Sequence, residues 1–414
     1  MLETGPVTKA QTVPQEITSE GRMPPGIAAC AIVDLDAIEE NVRSLSLVAG
    51  DAAVIAVVKA DGYGHGMVPT ARAALRGGAG WLGVALLSEA LALRAAGITE
   101  PVLAWLLVPG DRFTEAVAAG VDLGISALWT LEEAAAAART TGVPARLHLK
   151  IDTGLGRNGC LPADLPDLIA AALRHQAEGL VEVVGIFSHL AFADAPTHPS
   201  VSAQITQFTD AVELVQRAGA KLTLRHLANS AATLALPDAR FDAVRPGLAV
   251  YGLSPMPDLA TSAELGLRPA MSLVSRVVMV KDVPEGQGVS YGLTHVTSTA
   301  TTLALLPLGY GDGLPRHASG SGPVLLGGRR RVIAGRVCMD QVVLDLDGLT
   351  DAVRVGDVAV LFGPGTGGEP TALDWADACG TISYEIVTRL GARVPRHYVG
   401  GGSPEDVLPK EEPR

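Results

Sequence analysis

Val57-Val58-Lys59-Ala60-Asp61-Gly62-Tyr63-Gly64-His65-Gly66 closes an apolar run that begins at Ala52. A continuous apolar run of this length reads as a strand buried on both faces, the kind that builds parallel sheets. The run ends on a lysine, and three glycines follow within five residues, at 62, 64 and 66. Those glycines permit a tight turn and close approach of backbone to a ligand. Lys59 is therefore expected at the C-terminal end of a strand, the edge where α/β barrels carry their chemistry. A lysine is costly to bury unless it is paired or chemically used. One such use is a Schiff base with a carbonyl compound; the plain alternative is a solvated strand-end residue.

Outward from this stretch the same alternation continues. Strand-like runs at 29–34, 52–59, 81–85, 102–107, 121–125, 145–151, 181–188, 222–226 and 243–250 are separated by helical runs such as 88–96, 131–140, 166–174 and 201–217. Gly97, Gly120, Gly142 and Gly219 mark helix stops before the next strand. Apolar strands alternating with helices mean a parallel sheet. Eight or nine such units match a closed barrel. A doubly wound open sheet is the alternative, and no G-x-G-x-x-G opens the first helix in its favour. Beyond Arg268 short β-rich runs separated by Gly, Pro and Asp turns take over, with one helical run at 372–379. The expected fold class is α/β: an N-terminal (β/α)8 TIM-type barrel at 28–267, followed by a mostly β C-terminal domain at 268–400. A flexible arm at 1–27 and a tail at 401–414 flank them.

With 414 residues the chain is long for one domain, and 48% apolar residues can fill large cores. A net charge of −12 argues against a nucleic-acid or anionic-membrane partner, which would need basic surface. Cys30, Cys160, Cys338 and Cys379 have neither metal-ligand spacing nor the density of a disulfide framework, so no metal is expected and a reducing, cytoplasmic setting is. No apolar stretch is long enough to span a bilayer, and the first 26 residues lack the pattern of a signal peptide.

Further chemistry collects at strand ends and glycine-rich turns. His148-Leu149-Lys150-Ile151-Asp152-Thr153-Gly154-Leu155-Gly156-Arg157 places a lysine inside a strand and an arginine just beyond it. Arg157 could hold a carboxylate as a planar fork; a Lys150–Asp152 salt bridge is the plain alternative. His189 ends another strand, and a lone histidine there is commonly a satisfied core residue. Ser230 precedes a helical run, where it could cap the helix and touch a phosphate. Arg245 sits inside an apolar strand, where an unpaired arginine is costly, and the N–H groups of Gly247 and Leu248 could bind a phosphate. In the β region Tyr291, Tyr310 and Tyr384 lie in turns or at a helix start, as packed tyrosines also do.

VVKADGYGHG, LKIDTGLGR, FSHLA, HLANSAA, VRPGLAVYG, GVSYG, GYGDGLPR, GRVCMDQ and ISYEI occur here in the order found in bacterial alanine racemases, and the chain resembles that family over residues 28–400. The resemblance implies pyridoxal 5′-phosphate as cofactor, interconversion of L- and D-alanine for peptidoglycan synthesis, and a homodimer whose active sites are shared between subunits. By the same resemblance Lys59 holds the cofactor covalently and is one base. Tyr291, from the partner subunit, is the other. Tyr63, Ser230, Gly247, Leu248 and Tyr384 match phosphate-holding positions. Arg245 matches the arginine facing the pyridine nitrogen, with His189 hydrogen-bonded near it. Arg157 matches the residue that contacts a cofactor oxygen and orients the substrate carboxylate, which the N–H at Met339, from the partner chain, also meets. Lys150 matches a lysine that is often carbamylated and pairs with Arg157. Asp194, Tyr310, Arg316 and Arg336 match the access corridor, with Asp340 beside it.

Tyr291 needs help to act as a base, since a free tyrosine ionises near about pH 10. A cationic relay of His189 and Arg245 could supply it. The competing readings are a broader-specificity amino-acid racemase acting on serine, for example, a fold-related decarboxylase using the same cofactor, and a lone-barrel carrier of that cofactor without catalysis.

Overall fold

The structure, a computed structural model, describes residues 23–401. They form two units, one built from 33–271, 381–390 and 400–401, the other from 23–32, 272–380 and 391–399. The first strand, β1 (Ala29–Asp34), joins the six-stranded sheet of the β-rich unit. The barrel proper is a closed ring of eight parallel strands: β2 (Ala53–Val57), β3 (Trp81–Val84), β4 (Val102–Ala104), β5 (Asp122–Ile125), β6 (Ala145–Lys150), β7 (Val181–Phe187), β8 (Leu224–His226) and β9 (Ala243–Val244). Ala53 pairs with Ala243 and Val54 with Val244, which closes the ring.

Local chemistry explains these elements. Helix Leu35–Ala49 starts where the Asp34 carboxylate accepts the Ala37 N–H at 3.0 Å. Its buried residues Leu35, Ile38, Val42 and Leu45 recur at helical spacing and face the barrel. Buried Asn41 on the same helix donates to Val250 O and Arg268 O at 3.2 and 2.9 Å, so its amide is spent on loop backbone. Inside the barrel, glycines make room for large side chains. A Cβ at Gly124 would lie 2.9 Å from Trp105, and one at Gly185 would lie 2.5 Å from His148 Nδ1.

The β-rich unit holds a six-stranded sheet in the order Arg329–Val332, Pro323–Leu326, Val358–Phe362, Met271–Arg276, β1, Arg396–Val399. A three-stranded sheet of Met279–Val283, Thr301–Leu306 and Val342–Asp345 stands beside it. Helix Ala372–Cys379 is closed by a reciprocal box between Thr371 and Asp374, and its buried Trp375 donates Nε1–H to Leu361 O at 2.6 Å.

The expected domain boundaries need correction. Strand 29–34 belongs to the β sheet, not the barrel, and helix Ser383–Thr388 belongs to the barrel unit, not the β domain. The expected arm lies outside the described residues up to residue 22, but Met23 is packed against Cys30, Ile32, Val274 and Val360. The expected tail lies outside them from 402. The run at 243–250 is not one strand: it stops at Val244, because Pro246 cannot donate a ladder hydrogen bond, and Leu248–Tyr251 forms a single 3-10 turn. Among the described residues no helix is long and apolar enough to cross a membrane.

Candidate active site

After β2 the chain turns through an unusual segment. Ala60, Asp61, Gly62 and Tyr63 have φ of 53°, 52°, 60° and 52°, a left-handed turn. Each non-glycine residue there costs on the order of 1–2 kcal/mol. Surrounding bonds hold the turn: the Ala60 N–H donates to Glu89 Oε1 at 2.7 Å, and the Met67 N–H to Asp61 Oδ1 at 2.9 Å. Glu89 Oε2 also accepts the N–H groups of Ala85 and Leu86 at 2.9 and 3.0 Å, tying this turn to the end of β3. Lys59 stands half-buried at the start of the segment, its Nζ 6.0 Å from the Trp105 ring centroid. Burial first, and the Arg157 charge second, hold its amine below the usual lysine range, with Glu89 opposing them.

Beside it is a cradle of neutral hydroxyls. Tyr63 stacks on Tyr251 at 4.8 Å and lies 6.1 Å from Tyr384 between ring centroids. Burial pushes the Tyr63 phenol well up, and burial together with Asp194 pushes Tyr384 to about 12. Both therefore stay protonated and can donate. Ser230 Oγ accepts the N–H groups of Gly247 and Ala249 at 2.8 and 3.3 Å. Ser230 does not cap its helix: Asn229 does, accepting from Ala232 N–H at 3.0 Å. The Gly247 N–H is accordingly not a free donor. A Cβ at Gly247 would lie 2.4 Å from the Tyr63 hydroxyl, so this close approach demands glycine. Leu248 follows, buried, at the start of its 3-10 turn.

Cations crowd the same strand ends. Lys150, 6% exposed, ends β6 with Nζ 5.5 Å from the Phe187 ring centroid. Burial, then Arg245, Arg157 and Lys59, bring its amine down to about 8, with Asp152 opposing them. Asp152 caps the following loop, accepting the N–H groups of Gly154, Leu155, Gly156 and Arg157 at 2.9–3.2 Å. Burial would raise its pKa, but these four bonds hold it below the usual carboxylate range. Arg157 is exposed at the end of that loop. His189 is pushed down to about 3 by burial and by the charges of Arg245, Arg157, Lys150 and Lys59, so it is neutral.

The expected His189–Arg245 relay needs correction on two counts. His189 carries no charge, and the ring that meets Arg245 is His226. Arg245 Nη1 donates to His226 Nδ1 at 2.9 Å and to His226 O at 2.7 Å, and Nη2 donates to Ser188 O at 2.6 Å. Sequence reasoning missed His226, His148, Asp122, Glu89 and Trp105. A histidine within each of two apolar strands, Leu224–His226 and Ala145–Lys150, was the available signal.

The remaining expected residues gather in the β-rich unit. Tyr291, 71% exposed, begins a single turn after Ser290, whose hydroxyl donates to Arg336 O at 2.6 Å. The Arg336 guanidinium packs against Gly292. The carbonyls of Cys338 and Met339 accept the N–H groups of Tyr310 and Gly311 at 3.0 and 2.8 Å, pinning the two loops together. Arg393 bridges the same loops through Asp312 at 3.0 Å and Asp340 at 2.8 Å. Arg316 is linked through Ser319, which donates to Arg316 O at 2.6 Å and accepts the Val337 N–H at 3.0 Å. Asp194 is exposed and lies in the barrel unit. Neither unit contains both Lys59 and Tyr291.

A closed parallel barrel with a half-buried lysine, clustered cations and neutral hydroxyl donors at its strand ends defines a barrel enzyme with an electropositive site. Comparison with known proteins narrows this class. Residues 33–255 match the family description "Alanine racemase, N-terminal domain", and residues 270–398 match "Alanine racemase, C-terminal domain". The chain is 60% identical over 373 residues to an alanine racemase of Frankia casuarinae, covering 90% of this chain and 97% of that protein. It is 51% identical over 374 residues to that of Mycobacterium avium, covering 90% and 96%. The crystal structure of alanine racemase from D-cycloserine-producing Streptomyces lavendulae superimposes with a TM-score of 0.90 at 53% identity, covering 92% of this chain and 98% of that one. The chain belongs to the alanine racemase family.

Proposed function

We propose that the chain interconverts L- and D-alanine with pyridoxal 5′-phosphate as cofactor. Lys59 and the partner subunit's Tyr291 serve as the two bases in a homodimer with shared sites. The observation that carries this reading is the barrel's strand-end constellation. A lysine with a lowered pKa stands among Lys150, Arg157 and Arg245, beside a hydroxyl cradle at Tyr63, Ser230 and Tyr384 that suits a phosphate. When bound, pyridoxal phosphate supplies an electron sink for the charge left as the α-proton departs.

The chain's own residues do the rest. Lys59 Nζ takes or returns the proton on one face of the substrate, and its lowered pKa makes the neutral amine available nearer neutral pH. Tyr291 does the same on the opposite face. Arg157 and the N–H of the partner subunit's Met339 orient the substrate carboxylate, and Tyr310, Arg316, Arg336, Asp194 and Asp340 line the way in. With the cofactor bound, Arg245 would face its ring nitrogen, where a guanidinium cannot accept a proton. Side reactions would thereby be limited, and more of the work would fall to the two bases. The product D-alanine would serve peptidoglycan synthesis in the cytoplasm.

A chiral assay in deuterated water tests this reading. L-alanine should yield D-alanine, with deuterium at Cα. Faster turnover of serine would favour a broader racemase, and release of carbon dioxide would favour a decarboxylase.

A further inference from the structure

A chain of buried polar groups runs behind Arg245 through the floor of the barrel. Arg245 Nη1 meets His226 Nδ1 at 2.9 Å, His226 Nε2 meets His148 Nδ1 at 2.9 Å, and His148 Nε2 meets Asp122 Oδ2 at 3.1 Å. Both rings are fully buried and Asp122 is 1% exposed. The other oxygen of Asp122 accepts Arg146 Nε–H at 2.9 Å.

The proton positions along this chain follow from the donors alone. A guanidinium only donates, so His226 Nδ1 must accept and its one proton sits on Nε2. His148 Nδ1 must then accept, which leaves its proton on Nε2, directed at Asp122. No other assignment leaves every contact with one donor and one acceptor, and both rings are neutral. Burial, then the charge of Arg245, independently holds His226 well below the usual histidine range. Phe187 stacks on His226 at 4.8 Å with 6° between planes, and the absence of a side chain at Gly185 leaves space for His148.

We propose that Asp122, His148 and His226 are positioning residues: the carboxylate at one end fixes both histidine tautomers, and this aims Arg245 at the other end. The inference rests on the proposed role of Arg245 beside the cofactor, but its first test does not. Nitrogen-15 spectra of histidine-labelled chain, without and with pyridoxal phosphate, should show both rings neutral with the proton on Nε2. A proton on Nδ1 of either ring, or a charged ring, would overturn the proposal without any variant.

Asp122→Asn supplies the second test. Arg146 Nε–H pins the amide oxygen, so the amide NH2 faces His148 and both tautomers reverse. An N–H on His226 Nδ1 then opposes Arg245. We expect kcat to fall about ten- to a hundredfold, the loss a displacement of about 1 Å can produce, with KM within about twofold. Asp122→Asn combined with Arg146→Ala frees the amide to flip, and should restore the Nε2 tautomers and most of kcat. A merely structural role predicts no such rescue, so a double variant worse than the single one would refute the relay. Tautomers that reverse as expected in a chain without alanine turnover would retire the racemase reading and leave the relay standing.

Discussion

Lys59 and Lys150 share one electrostatic problem, several cations in a partly dry site, and each answers it by giving up proton affinity. For Lys150 this fixes a sign. The folded amine titrates near about 8, while the unfolded one titrates near about 10.4. Below pH 8 both states are protonated and the folded state carries the full electrostatic cost. Between about pH 8 and 10 the unfolded state binds more protons, so stability rises with pH. That rise, at most about 3 kcal/mol, should appear as the difference between wild type and Lys150→Met in urea unfolding in bicarbonate-free buffer, since Lys59 and the other titrating groups remain in both. Equal slopes in both proteins would contradict the lowered amine pKa. At the two proposed bases, the variants should separate by which enantiomer exchanges its α-proton. Tyr291→Phe is expected to lose racemisation equally in both directions, and to lose deuterium exchange at Cα of L-alanine about 10²- to 10⁴-fold while D-alanine still exchanges through Lys59. Lys59→Ala is expected to lose cofactor attachment, followed by absorbance, as well as turnover. A Lys59→Ala chain that keeps the attached chromophore would move the assignment to another lysine.

At the scale of elements, the left-handed turn at 60–63 and helix Ser383–Thr388 depend on each other through glycine. A Cβ at Gly64, whose φ is +80°, would lie 2.2 Å from Val387 O. Gly64→Ala should therefore push that helix, and Tyr384 with it, away from the cradle. We expect a stability loss of about 2 kcal/mol or more in urea unfolding and weaker cofactor retention on dialysis. Asn229→Ala removes a cap and should cost about 1 kcal/mol, with a smaller effect on retention because Ser230 keeps its contacts to Gly247 and Ala249. Sequence signals located other elements well: helix Ala372–Cys379 falls where the sequence placed it. The same signals could not say that β1 pairs in the β-rich unit, because an apolar strand advertises its buried faces and not its neighbours.

For the whole molecule, the division of the two proposed bases between separate units makes a dimer test decisive. Lys59→Ala and Tyr291→Phe chains should each be nearly inactive alone. Mixed under exchange, hybrids regain one intact site each, so roughly a quarter of wild-type activity should return. No recovery would mean that each site is built from a single chain. Strand count, barrel class, Lys59 at a strand end and the cationic motifs were legible in the sequence, because buried parallel strands and expensive lysines and arginines leave a local trace. What only the tertiary structure decided is which groups meet: His226 rather than His189 against Arg245, Asn229 rather than Ser230 as the cap, and Asp122 at the end of the relay. These pairings join residues far apart in the chain, and barrel closure sets the hydrogen-bond distances between them, so no local pattern of residues encodes them.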